Sequence, residues 1–355
     1  MPPELPAIGK ISAEVFDRVI YPRLGKKRSE VLVGPRHGVD IGIVDIGGGR
    51  AMALTTDPIF IVPPYGWERS AWFAVHILCS DAATSALPLA YMTVDLNLPR
   101  SISGEQFARM WQTMHEECER LGVAIVTGHT GRYEGCEYPM VGGATVIAIG
   151  GREEYVTPEM ARPGDAVIIT KGPAIEAAGL FAATFPDRLA ERWGAAFAEE
   201  AQGIFWQMSV VEEARIAARV GVREEGVTAM HDATECGVWG GLAEIAAASR
   251  VGLMIEKERI PLQEPVARIC EFFGIDPYTS ISEGTLLLTC RPTKADELER
   301  SIREAGIPAA IIGEVLAEEQ RCWIRDGGRA VPLVHPRVDP FWAAFGKAAA
   351  AGGPA

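Results

Sequence analysis

Four aspartates, Asp40, Asp57, Asp81 and Asp232, stand where a charge is costly or where charges crowd. The first two bound the stretch VDIGIVDIGGGRAMALTTD, which reads as a β-hairpin: an alternating strand (39–46), a turn over Gly47-Gly48-Gly49-Arg50, and an apolar strand (51–56) that ends at Asp57. Glycine supplies the positive φ angles that tight hairpins need. With the turn centred on Gly48-Gly49, facing residues have numbers that sum to 97, so Asp40 is expected across from Asp57. Directly opposed side chains share a face with Cβ atoms roughly 4.5–5.5 Å apart, and like charges so placed repel unless a cation sits between them. A one-residue slip would turn one of them away. Asp45 has the wrong parity to join the pair and reads as a turn residue.

Asp81 falls inside an expected helix over 67–85, in line with Trp67, Ala71, Ala74, Leu78 and Ser85 on an apolar stripe. A charge there costs several kcal/mol unless it is paired or metal-bound. The choice is a salt bridge to an arginine or lysine, or a metal. Asp232, in MHDATECGVWGG, ends a strand before a helix expected from Val238. It is either an Asx-turn or helix cap, or a ligand at a strand end, where α/β proteins often bind. His129, in Gly128-His129-Thr130-Gly131, also follows a strand and is either structural or a phosphate or metal contact. Lys10 follows Gly9 in a proline-bearing arm, where a lysine is ordinarily solvated. His231 and Glu235 are further candidates for moving protons. Hard carboxylate oxygens suit Mg²⁺, which typically combines one or two protein carboxylates with substrate phosphates. Four of them need more than one divalent ion, and a polyphosphate bridged by two or three Mg²⁺ is the simplest ligand that balances the charge. No G-x-x-x-x-G-K-[ST] or helix-opening G-x-G-x-x-G is present, and no G-x-S-x-G elbow.

The elements that must hold these residues follow from periodicity and breakers. A first half is expected to contain a helix over 12–21, the hairpin, the helix over 67–85, a strand over 89–96, a helix over 105–121 and strands over 123–127 and 142–149. The breaker-rich segment 150–164 is the expected boundary, giving domains over 1–155 and 160–340. The second half is expected to carry strands over 165–170, 227–230, 251–255, 285–290 and 309–315. Its helices are expected over 174–185, 189–200, 204–218, 238–249, 265–273 and 294–305. Strands and helices mix without strict alternation, so the expected class is α+β, built of α/β layers.

Composition narrows the field. The 355 residues are 48% hydrophobic and 23% charged, as in ordinary globular proteins. A formal charge of −13 and the lack of any Lys/Arg block argue against nucleic acid. No apolar run reaches the roughly 18 residues of a membrane span, and the N-terminus has no signal-peptide pattern. Seven scattered cysteines without a CxxC fit free thiols in a reducing cytoplasm.

Five motifs in order, VDIGIVDIGGG…LTTDPI, SDAATSALP, VTGHTG, VIITKGP and MHDATECGVWGGLAEIA, resemble the aminoimidazole ribonucleotide synthetase (PurM-like) superfamily over about residues 8–315. The nearest branches are hydrogenase maturation carbamoyl dehydratase and selenophosphate synthetase. The resemblance implies two domains, an N-terminal one that dimerises through its sheet and a C-terminal α/β one, with ATP and Mg²⁺ between them. By position it makes Asp40, Asp57, Asp81 and Asp232 the metal-phosphate carboxylates. It adds Lys10, Thr56, Gly128, His129 and Thr130 to the nucleotide contacts and Lys10, His129 and His231 to the catalytic candidates. The chemistry it implies is activation of a small-molecule or carbamoyl-type oxygen by ATP, in a homodimer with a small second substrate and a maturation partner protein. Two positions depart from those branches. Ala7 stands where selenophosphate synthetase has a reactive Cys or selenocysteine, and GGPA ends the chain where the maturation enzyme ends in cysteine. Sulfur or selenium chemistry at those positions is therefore not expected. An idle nucleotide-binding partner and a carboxylate-metal phosphatase are the alternatives.

Overall fold

The structure is a computed structural model that describes Leu5 and residues 11–319 and 321–351. It begins with a single helical turn, α1 (Ala13–Val15), capped by Ser12, whose Oγ accepts from Val15 N at 3.3 Å. The helix expected over 12–21 stops there: Phe16–Ile20 widens into a π turn and Tyr21–Arg23 tightens into a 3₁₀ turn. Val15 is the one buried residue of the three pieces, so little packing holds a regular helix.

The first sheet comprises β1 (Val31–Val33), β2 (Gly42–Gly47), β3 (Arg50–Phe60), β4 (Leu89–Leu98), β5 (Ala124–Arg132) and β6 (Met140–Gly151). Their order is β1-β2-β3-β6-β4-β5; β4 and β5 run parallel and every other pair antiparallel. Helix α2 (Trp67–Ala83) follows β3, and α3 (Gly104–Leu121) supplies the crossover between β4 and β5. Ser103 and Gln106 form a capping box at the start of α3, and Gly122 closes it at φ +73°. Val94, Ala144 and Val146 are buried on the helix-covered face, whereas Tyr91 and Thr56 on the other face are exposed.

The second half opens with β7 (Ala166–Thr170). Helices α4 (Ile175–Thr184), α5 (Pro186–Trp193), α6 (Ala195–Gln202) and α7 (Val211–Val220) follow. Gly194, at φ +95°, breaks the helix expected over 189–200. A 3₁₀ turn over Gly203–Gln207 and the irregular residues 208–210 replace the first two turns of the one expected over 204–218. Then come β8 (Val227–Asp232), α8 (Gly237–Ser249), β9 (Gly252–Glu256), α9 (Glu264–Phe273), β10 (Leu286–Cys290), α10 (Pro292–Glu304) and β11 (Ala309–Leu316). The unanticipated β12 (Cys322–Asp326), β13 (Arg329–Pro332) and α11 (Pro340–Ala350) complete the chain. The sheet order is β13-β12-β9-β11-β7-β10-β8. No helix among the described residues is long and apolar enough to cross a membrane, and all seven cysteines are free.

Helix α2 joins the halves. Thirteen of its seventeen residues are buried, so it is enclosed on more than one side rather than amphipathic. Leu78, Cys79 and Ala82 pack in one continuous core with β3 residues Ala51 and Ala53 and with Ile168, Val210, Ala214, Met230 and Leu286 of the second half. Trp72 and Phe73 enter a second cluster with Phe181 and Phe205. Val210 N donates to Ser80 Oγ at 3.1 Å, tying α2 to the start of α7.

Candidate functional site

Because α2 is shared, Asp81 meets residues of both halves. Its carboxylate is 7% exposed, and Thr55 Oγ1 on β3 donates to Oδ2 at 2.9 Å. The salt bridge that spacing left open is not formed among the described residues; the charges around Asp81 are carboxylates. Burial pushes its pKa well above the usual range, and Asp232, Asp40, Asp57 and Glu283 push it further.

Asp232 is the last residue of β8 and is 1% exposed. It caps nothing: α8 starts from Cys236 in a left-handed conformation with no side-chain cap. Its Oδ2 has no hydrogen-bond partner among the described residues. Burial would raise this carboxyl, but the adjacent His231 outweighs it and holds Asp232 below the usual range. His231, 3% exposed, is held in the charged form well above ordinary imidazole pH; burial opposes this, and Asp232 and Glu244 overcome it. Its Nε2 bonds Glu244 Oε2 at 2.9 Å, and its Nδ1 lies 3.6 Å from Asp40 Oδ2 and 3.8 Å from Asp232 Oδ1.

The hairpin differs from expectation in register. Gly47 pairs with Arg50, a sum of 97, but Asp45 pairs with Ala51 and Gly42 with Leu54, a sum of 96. A bulge between Asp45 and Gly47 absorbs one residue beside three consecutive glycines at positive φ. Asp40 therefore does not oppose Asp57. It precedes β2 and approaches His231, while Asp57 pairs with Ala144 on β6. Both still act on Asp81. Asp45 is the expected turn residue, accepting from Gly47 N at 2.8 Å and pairing with Arg152 at 2.7 Å.

The other expected contacts are spread over β3 and β5. Thr56 Oγ1 bonds Thr145 Oγ1 at 2.7 Å on the open face of the sheet. The row Asp57–Ala144–Val94–Gly128 crosses three strand spacings, so Gly128 is roughly 14 Å from Asp57. His129, one residue on, faces the other way and bonds Tyr133 Oη at 2.6 Å; Thr130 follows on the same edge strand. Lys10 lies outside the described residues.

Three groups escaped the sequence reading. Glu283 is 1% exposed, and neither carboxylate oxygen has a hydrogen-bond partner among the described residues; burial, then Asp232 and Glu176, raise its pKa well above normal. Its N–H donates to Glu176 Oε2 at 3.0 Å, and Gly284 beside it (φ +97°) lies where a Cβ would meet Gln207 O at 2.2 Å. Lys171 Nζ, also buried, pairs with Glu213 at 2.5 Å and donates to Ser209 O at 2.6 Å. Glu244 is the one charged residue of α8, which marks it by the same criterion that marked Asp81. Converging hard oxygens, one of them a buried orphan, are a donor set that fits a divalent cation.

Two family descriptions match in tandem: AIR synthase related protein, N-terminal domain, over residues 38–150, and AIR synthase related protein, C-terminal domain, over residues 162–322. A carbamoyl dehydratase HypE from Rhizobium leguminosarum bv. viciae is 28% identical over 299 residues, 80% of this chain and 79% of that one. Among solved structures, a HypE–HypF complex is similar at TM-score 0.66 and 23% identity, covering 83% of this chain and 93% of that one. HypE in complex with ATP is similar at TM-score 0.62 and 22% identity, covering 85% and 89%. These likenesses are in fold.

Proposed function

We propose an activity from one premise: the chain belongs to the AIR synthase related protein family, through both its N-terminal and its C-terminal domain. The proposed protein is an ATP- and Mg²⁺-dependent enzyme that activates a carbamoyl-type or other small-molecule oxygen by phosphoryl transfer. The observation that carries this reading is the convergence of Asp40, Asp57, Asp81 and Asp232, from four separate segments, with carboxylates rather than lysine or arginine as the dominant charges around Asp81. His231 offsets part of this charge, and a divalent ion would neutralise the rest.

Asp40, Asp57, Asp81 and Asp232 would hold the metal, and Mg²⁺ there would supply neutralisation of phosphate charge. Phosphoryl transfer asks a protein chiefly for positioning and charge balance rather than for a covalent nucleophile. Thr55 orients Asp81, and Ser80 fixes α2 against α7. Glu283, whose pKa is raised by burial and then by Asp232 and Glu176, is the proposed holder of a proton for a nearby oxygen. Lys10, Thr56, Gly128, His129 and Thr130 belong to the proposal as further nucleotide contacts, with Lys10, His129 and His231 as its catalytic candidates. So do the domain limits 1–155 and 160–340, a cytoplasmic setting and a maturation partner. A homodimer through the first sheet is supported by β5, an edge strand mostly exposed along its length, and by Val126 and Met140, 55% and 57% exposed.

The test is a thermal-shift titration with ATP and Mg²⁺, followed by an assay for ADP or AMP release with and without carbamoyl-bearing substrates. A shift that needs both ATP and the divalent ion supports the reading; its absence, with activity on a simple phosphoester, favours a metal phosphatase instead.

A further inference from the structure

We propose that His231 is a nitrogen ligand in the metal centre, sharing one divalent ion with Asp40 and Asp232, so that this position takes Mn²⁺, Co²⁺ or Zn²⁺ more tightly than Mg²⁺. The inference rests on the metal-dependent reading above and adds an imidazole to its all-oxygen ligand set. One ligand atom from each of the three residues lies within 4.8 Å of the other two. The Nδ1 separations, 3.6 Å from Asp40 Oδ2 and 3.8 Å from Asp232 Oδ1, exceed an ordinary N–H···O bond. They are close to the spacing of two ligands on one ion: at metal–ligand distances of ~2.1 Å, adjacent ligands stand about 3.0 Å apart in octahedral and ~3.4 Å in tetrahedral geometry. A small side-chain rotation closes the difference.

Two independent observations point to an ion there. The buried Asp232 Oδ2 lacks a hydrogen-bond partner among the described residues, in a chain where most buried polar atoms have one. The second is the far side of the ring. His231 Nε2 bonds Glu244 Oε2 at 2.9 Å, and Glu244 Oε1 lies 3.7 Å from His335 Nε2. A metal-binding imidazole characteristically gives its other N–H to a carboxylate, which fixes the tautomer and aims the free nitrogen at the ion. Glu244 is that carboxylate, placed on the otherwise uncharged α8. In the metal-free protein the ring carries a second proton, which the ion displaces from Nδ1. Two carboxylates and the resulting neutral imidazole balance a divalent charge, and imidazole shifts preference from Mg²⁺ toward borderline metals. Asp57 and Asp81 remain an all-oxygen set for magnesium.

The experiment is pulsed EPR on the full chain with Mn²⁺ and no nucleotide, comparing natural-abundance protein with protein carrying ¹⁵N-histidine. The expected spectrum shows ¹⁴N modulation that the label replaces and that His231→Gln abolishes, with Mn²⁺ bound at least tenfold more weakly. Glu244→Gln should retain the modulation and weaken Mn²⁺ about 10–100-fold; it carries the test if His231→Gln does not fold. Bound Mn²⁺ without histidine modulation, or modulation that survives in folded His231→Gln, overturns the proposal. If ATP with Mg²⁺ still raises the melting temperature in that case, the histidine ligand alone is refuted. Failure of wild-type protein to bind Mn²⁺ with or without ATP removes the parent reading as well.

Discussion

Asp81→Asn is the sharpest perturbation of the proposed site. Asparagine keeps the shape and can still accept the 2.9 Å bond from Thr55 while removing the buried charge. In the metal-free protein burial, Asp232, Asp40, Asp57 and Glu283 already disfavour the ionised form of Asp81, so a neutral amide there should leave the fold as stable or slightly more so, by at most on the order of 1 kcal/mol. At about 2.1 cal/mol/K per residue, 355 residues give an unfolding entropy near 0.75 kcal/mol/K, so that gain is about 1 °C. Wild type with ATP and Mg²⁺ at 100 times Kd gains about 2.7 kcal/mol, a shift of about 3–4 °C. The variant should lose that shift and keep its far-UV circular dichroism. The reasoning is refuted if Asp81→Asn shows the wild-type nucleotide shift, or if its metal-free melting temperature falls by several degrees, which would make Asp81 a structural acid.

The remaining expectations concern pH, the buried lysine and the open edge. The folded-state pKa of Asp81 is raised, so protons favour the metal-free fold and a metal must displace one. Affinity for Mg²⁺ with ATP should therefore rise about tenfold per pH unit below that pKa and level off above it, as isothermal titration across pH would show. Lys171→Met leaves Glu213 buried without its cation and should cost about 3–5 kcal/mol, with Lys171→Met/Glu213→Leu recovering most of it in urea unfolding. Val126→Glu should turn the proposed homodimer into monomers in light scattering, with a stability change within about 0.5 kcal/mol as for other exposed sites.

Where chemistry is local, the sequence was legible. Asp81 stood out as a charge on an apolar stripe, Asp232 as an acid at the end of an apolar strand, and the fold brings the two close enough to act on each other. The hairpin was legible as an element but not in register, since the glycines mark a turn without saying that a residue is taken up in a bulge between Asp45 and Gly47. That bulge moves Asp40 from Asp57 to His231. Glu283 was missed because its burial is nonlocal: the chain beside it, at Gly284, packs against Gln207, 77 positions away. Likewise β12, which lies parallel to β9, depends on a nonlocal pairing that no short-range pattern encodes. His129 was legible as a strand-end histidine, yet sheet parity turns it to the face opposite Asp81.

The burial of α2 on both sides constrains how such a molecule can breathe. A hinge that swung the two sheets apart would strip Leu78, Cys79 and Ala82 from one partner or the other, so ligands must enter by way of surface loops instead. Amides along this helix should exchange with solvent only when the whole chain melts. A gene cut between Gly151 and Ala166 should yield two sticky fragments, each missing half of a shared interior, that recover solubility only when produced together.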